Sequence, residues 1–307
     1  MNFRVTHLTR YVYGDPVGIC WNEACLLPRE TQNQRCLSSL LQIEPAPSDL
    51  RERKDFFGNR ITHFSIQRPH HQLVVKAVSE VVITPATSFP AAGNQPPWET
   101  VHAGLATDRD PATIDVLPYR YDSSLITAGP QLADYARLSF LPKRPIIEAA
   151  ADLMRRIYHD FTYDAKATTI ATPLAEVMAN RRGVCQDFAH VGIGCLRAMG
   201  LAARYVSGYI ETVPPAGKER LIGADASHAW FSVYCAEAGW VDFDPTNNKM
   251  PTDQHITVAW GRDFSDVSPL RGVALGGGKH QVEVSVDVAR ITVAQTQTQS
   301  QGGGRSE

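Results

Sequence analysis

Helical periodicity in this chain is concentrated between about residues 144 and 199, with strand-like alternation on either side. After residue 140 the helices come first and the strands follow. That order argues for an α+β domain in which an antiparallel sheet packs on helices. The first 84 residues read as β. Phe3, Val5, Tyr11 and Tyr13 share one parity, the period of a half-buried strand. "CLSSLLQIEP" (36–45) and "QLVVKAVSEVVIT" (72–84) are further strand candidates, and Gly58-Asn59 between apolar runs signals a hairpin. Several strands with short turns predict a sandwich-like module.

Residues 85–97, "PATSFPAAGNQPP", have a linker's composition. The stretch from 98 to about 140 is ambiguous and is assigned to the second domain. Three helices follow. In the first, Ile146, Ala150, Leu153, Ile157 and Phe161 share a face, and Pro145 opens it. The second, in "TPLAEVMANRRG" (172–183), has Thr172 as expected N-cap, Pro173 at its first position and Gly183 as its stop. The third runs from about Cys185 to Met199 and stops at Gly200. "ARYVSGYI", "HAWFSVYC" and "GWVDFD" then read as strands, and "HQVEVSVDVARITV" (280–293) follows a glycine turn at 276–278. The tail from 294 to 307 is polar, of low complexity and expected to be disordered. The domain plan is therefore a β-rich unit at 1–84, a linker at 85–97, an α+β unit at 98–293 and a tail.

With 307 residues, 43% of them hydrophobic and 20% charged, the chain can build a sizeable core. A net charge of −2 argues against nucleic acid or an anionic membrane as the main partner. The first residues carry no signal-like apolar run, and no stretch approaches the roughly 20 apolar residues of a membrane helix. The six cysteines are too sparse and irregular for a disulfide framework. The expectation is a soluble bacterial protein of the cytoplasm.

Among those cysteines, Cys185 stands out by position, in "GVCQDFAH". The first turn of a helix has unpaired N–H groups and the positive end of the macrodipole. Both stabilise a thiolate, and the same N–H groups can hold an oxyanion. The others read as small core residues, Cys195 on the apolar stripe of its own helix. A thiol that transfers acyl groups needs a histidine. His190, five residues along the helix, lies about 140° round from Cys185 and reads as a packed helix histidine. The same scatter disfavours a metal site built from Cys185, His190 and Cys195. His228, at the head of a strand in "DASHAWFSVYC", is better placed. Asp242 and Asp244 in "GWVDFDPTNN" share a parity, so alternation alone leaves both open as its carboxylate partner. Trp230 either shields the site or belongs to the core.

"GVCQDFAH", "DASHAW" and "GWVDFDPTN", in that order, resemble the core of the transglutaminase-like superfamily, which has a papain-like α+β fold. "RYVYGDPV", "LLPRETQNQR" and "FFGNR" resemble the β-rich domain that precedes this core in a bacterial branch, and "HITVAWGRDFSDVSPLRGV" resembles that branch's C-terminal extension. The resemblance implies Cys185 as nucleophile, His228 as general acid and base, and Asp244 of the Asp-Pro-Thr motif as orienting carboxylate. It does not by itself name the reaction, since the superfamily includes crosslinkers, amide-hydrolysing proteases and inactive members; the peptidase-like bacterial branch makes amide chemistry on peptides or proteins through a thioester the expectation, and no cofactor or metal is expected. A non-catalytic binding module that kept the fold is the rival reading. A thioesterase or arylamine acyltransferase with the same three residues is a second.

Overall fold

The computed structural model describes residues 1–85, 95–108, 110–211 and 227–291. The expected tail lies outside them, and so does most of the expected linker. Strands β1 (Asn2–Ala24), β2 (Gln34–Glu44), β3 (Asp49–Lys54), β4 (Arg60–Ile66) and β5 (His70–Ile83) come first. Gly58-Asn59 lie in the turn between β3 and β4, which pair antiparallel as the hairpin signal predicts. β1 is the axis of this unit. Its first part pairs with β5 and its last residues with β4. Val17, Cys20, Phe64, Ile66, Leu73 and Val75 form a buried cluster within it.

The helical block contains α1 (Trp98–Thr107), α2 (Pro111–Val116), α3 (Pro130–Arg137), α4 (Ile146–Asp160), the short strand β6 (Thr162–Tyr163), α5 (Leu174–Asn180), a second short strand β7 (Arg182–Gly183) and α6 (Cys185–Ala198). Pro145 caps α4, whose Ile146, Ala150, Leu153 and Ile157 are all buried. The bounds of α5 differ from expectation. Pro173, not Thr172, is its N-cap, and Arg181 in the left-handed region ends it before Gly183 is reached. Thr172 instead accepts the Thr169 N–H through its hydroxyl, and Gly183 pairs with Tyr163.

Behind α6 lies a four-stranded antiparallel sheet of β8 (Ala203–Ile210), β9 (Ser227–Cys235), β10 (Gly239–Phe243) and β11 (His255–Gly261), in the order β10-β9-β8-β11. Helix and sheet approach closely at Gly192, where a Cβ would sit 2.5 Å from the Phe231 ring. Phe188, Val191, Cys195 and Leu196 on α6 join Phe231, Val233 and Phe243 in one core. α1, α3 and α4 contribute Val101, Leu132 and Leu153 to the same core.

The last strands depart from the domain plan. β12 (Leu270–Gly276) and β13 (His280–Arg290), expected within the second unit, pair with β1 and complete a seven-stranded N-terminal sheet. The alternation of β13 was legible, but β12 was not read as a strand, and the choice of partner strand is made by tertiary packing. Val286 and Val288 then share the main core with Phe3, Val5, Val81 and Ile83.

The N-terminal unit also covers β11, an edge strand whose outward N–H and C=O groups need partners. Gln34 meets both groups of Thr257: its amide nitrogen donates to the carbonyl at 2.7 Å and its oxygen accepts the N–H at 2.8 Å. Asn59 does the same for Trp260, at 2.8 and 3.0 Å. Two side-chain amides thus stand in for a missing strand. Gln34→Leu leaves both buried groups of Thr257 unmatched, and we expect it to lower unfolding free energy in urea by about 1–3 kcal/mol. Gln42→Leu on the exposed part of β2 should change it little.

Candidate active site

Cys185 is the first residue of α6, and the turn that presents it is tightly built. The Asp187 carboxylate accepts the Val184 N–H at 2.8 Å and the Thr168 hydroxyl at 2.6 Å. A Cβ at residue 183 would fall 2.5 Å from that carboxylate, so the glycine is a steric requirement. The parallel pairing of β6 with β7 brings Tyr163 beside Gly183, and its hydroxyl group feels the charge of Cys185. The Cys185 side chain is partly exposed.

His228 enters from the first residues of β9. Gly208 lies opposite it on β8, and a Cβ there would meet the Ile256 carbonyl at 2.1 Å and the Trp230 ring at 2.6 Å. The imidazole is hydrogen-bonded to Asp244 on one side and interacts with Cys185 on the other. His228 Nε2 lies 2.8 Å from Asp244 Oδ2. Nδ1 is therefore the nitrogen left to exchange a proton with the thiol. The structure thus brings together the three residues expected from the sequence.

Asp244 follows β10 directly and is fully buried. Its Oδ1 accepts the N–H groups of Thr246 and Asn247, an Asx-type turn formed by "DPTN". Its Oδ2 faces His228, the Asn247 side-chain amide at 2.8 Å and His255 Nε2 at 2.9 Å. His255 and Asn247 were not singled out by the sequence reading. His255 opens β11, opposite Ile210, at the same end of the sheet as His228. Only the strand pairing puts the two histidines side by side.

Asp242 has a separate task, accepting the Trp230 indole N–H at 3.1 Å. The parity that left both carboxylates open is resolved by where β10 ends. Trp230 is wholly buried, with its ring 6.0 Å from that of His228 and 5.1 Å from that of His255. It serves the core and walls the site together. His190 is buried away from the thiol and accepts the Phe264 N–H, as a packed helix histidine should.

Burial disfavours charge on His228, but the hydrogen bonds to Asp244 and Cys185 and their negative charge outweigh it, raising its pKa to about 10. Burial likewise disfavours charge on Asp244, yet hydrogen bonds and charge from the two histidines hold its carboxyl well below the usual carboxylate range. Both shifts favour the imidazolium–carboxylate form of the pair. His228, Asp244 and His255 each place a potential ligand atom within 4.8 Å of the others, a donor set that could hold a divalent cation. The separations of 2.8 and 2.9 Å are those of charge-assisted hydrogen bonds, with protons between the atoms.

Helices packed on an antiparallel sheet, preceded by a strand-rich unit, define the transglutaminase-like fold. The family model described as "Bacterial transglutaminase-like N-terminal region" matches residues 3–82, and that described as "Transglutaminase-like superfamily" matches residues 135–245. The uncharacterized protein Rv2569c of Mycobacterium tuberculosis is 43% identical over 301 residues, covering 93% of this chain and 92% of its own. The uncharacterized protein ML0607 of Mycobacterium leprae is 31% identical, covering 94% and 98%. A Cytophaga hutchinsonii crystal structure, provisionally designated a cysteine protease, superposes with a TM-score of 0.75 at 20% identity, covering 96% of this chain and 92% of that one. A Pseudomonas aeruginosa protein-glutamine gamma-glutamyltransferase is 31% identical over 151 residues, which is 46% of this chain and 22% of that enzyme. The chain belongs to the transglutaminase-like superfamily.

The ion pair makes stability depend on pH in a defined direction. Above pH 6.5 the folded protein keeps a proton on His228 that the unfolded chain releases. Its stability should therefore fall as pH rises, by at most ~1.4 kcal/mol per unit from this group. Asp244 acts at the acid end: its contribution is complete above its ordinary value of 3.8 and is lost as pH falls below it. Urea titrations across pH should show Asp244→Asn flattening both slopes.

Proposed function

We propose that this protein is a cysteine-dependent amide hydrolase or acyl transferase acting on peptides or proteins, with peptide hydrolysis as its main reaction. One observation carries the reading: the His228 imidazole lies between a helix-N-terminal thiol, whose charge it feels, and a buried carboxylate 2.8 Å from its Nε2. Cys185 attacks the amide carbonyl as a thiolate while His228 holds the proton. The developing oxyanion takes a hydrogen bond from the Cys185 N–H at the helix N-terminus. His228 then protonates the departing amine, and a thioester remains on the sulfur. Water activated by His228 releases the acid and regenerates the thiol, whereas a primary amine in its place gives a new amide. Asp244 keeps the imidazole in one orientation and stabilises its charged form throughout.

The designation of the Cytophaga protein favours the hydrolytic outcome, and the name of the Pseudomonas relative keeps amine transfer as the competing one. Incubating the wild-type protein with a glutamine-bearing peptide library, with and without a primary amine, separates cleavage, deamidation and crosslinking by mass. We expect cleavage to dominate. Cys185→Ala should abolish it, and His228→Ala should reduce it by about 10²–10⁴-fold. Cys36 is the other cysteine that is not buried, so iodoacetamide labelling is best read on a Cys36→Ser background. There Cys185 should label rapidly at neutral pH and His228→Ala should slow it. No product in any arm, with an unreactive Cys185, would favour a binding module.

A further inference from the structure

A second polar cluster lies on the sheet away from the thiol. Arg204 on β8, Ser232 on β9 and Asp242 on β10 are successive partners across three strands. Strand alternation puts them on the face opposite Phe231, which meets α6. Each carries a buried atom with no hydrogen-bond partner among the described residues: Arg204 Nε, Ser232 Oγ and Asp242 Oδ1. Arg204 is 8% exposed. Its guanidinium is held between the rings of Trp240, at 4.4 Å from the centroid, and Trp260, at 3.7 Å. Arg29 covers Trp260 as well, at 3.2 Å. Among the described residues neither arginine forms an ion pair; burial pushes both down to about 10, the Asp242 carboxylate favours the charge on Arg204, and Arg204 disfavours the charge on Arg29.

Arg204 and Asp242 border a groove of about 1230 Å³ whose lining also includes Tyr119, Tyr234, Trp240 and Trp260. A buried guanidinium fixed between aromatic rings is a preorganised fork for a planar carboxylate. Asp242 Oδ1, across the same groove, is an acceptor waiting for an N–H. The two demands describe one ligand. A phosphate would bring further anionic oxygens toward Asp242 and satisfy neither Oδ1 nor the apolar wall.

We propose that this groove binds the C-terminal residue of a peptide, its carboxylate on Arg204, its amide N–H on Asp242 and its side chain against Tyr119 and Tyr234. The site is distinct from the thiol. It touches the catalytic cluster through Trp230, whose indole N–H holds Asp242 Oδ2 and whose ring lies against His255 and His228.

The test uses full-length Cys185→Ala, which binds without turnover, in calorimetric titrations. The ligands are a tripeptide ending in phenylalanine as the free acid, its C-terminal amide, free phenylalanine and inorganic phosphate. We expect saturable binding of the acid, at least about 10-fold weaker binding of the amide, and about 10-fold weaker acid binding on Arg204→Lys, which keeps the charge but loses the fork. The acid–amide comparison needs no second substitution and so survives any folding defect in the arginine variant. Equal binding of acid and amide overturns the proposal. So does phosphate or free phenylalanine binding as tightly as the peptide, or no saturable binding at all. Binding of the acid by a protein whose wild-type form processes no peptide would sink the proposed activity and leave this site standing.

Discussion

A carboxylate sealed from solvent is the constraint around which this molecule is arranged. Asp244 is fully buried, and leaving such a charge uncompensated would cost several kcal/mol. Its compensation is drawn from separate parts of the fold: His228 from β9, His255 from β11, and Asn247 with two backbone N–H groups from the turn it begins. The turn, the strand order and the ends of both strands must all be correct before the charge is satisfied. Pairing with Asp244 outweighs the burial that disfavours charge on His228, so the requirement that shapes the fold also prepares the chemistry.

The N-terminal unit contributes to this arrangement through β11. That strand is an edge of the four-stranded sheet and carries His255 at its first residue. Gln34 and Asn59 close its free backbone groups from the other unit, and His7 reaches Tyr209 on the neighbouring strand at 3.0 Å. Contacts thus run without a break from β2 and the β3–β4 turn, through β11 and His255, to Asp244 and the imidazole. The C-terminal strands strengthen the same structure by returning to β1. Physically, the strand-rich unit is a buttress for the sheet that holds the site, and the groove bearing Arg204 lies where the two units meet.

Local chemistry explains what could be read from the residues alone. Pro145 and Gly200 bound helices because one presets the backbone and the other, at φ 73°, takes a conformation few side chains tolerate. The alternation in β5 is strong because it packs one face against a core, whereas β8 and β9 are buried on both faces and read as strands from their apolar, β-branched and aromatic residues. The prominence of Cys185 came from its place after a glycine turn, and that of His228 from its place at a strand head. Thr172 misled because a hydroxyl before a proline suits a cap and a turn equally well, and here it closes a turn. His255 escaped notice because a histidine at a strand start has no local mark of function. Its significance arises only beside a carboxylate eleven positions earlier in the chain.

By itself the sequence determined the three helices between residues 144 and 199 and the most regular strands, where the thiol sits on its helix, and the family pattern formed by three short motifs. Those features depend on neighbours within a few residues. Only the tertiary structure decided that Trp230 takes Asp242 as its partner, that a second histidine shares the Asp244 carboxylate, and that the final strands belong to the first sheet. Each of those outcomes depends on which distant segments come to lie side by side, and hydrogen bonding between strands is nearly indifferent to side-chain identity. Burial of charge and filling of the core select among such pairings, and both act on the whole chain at once.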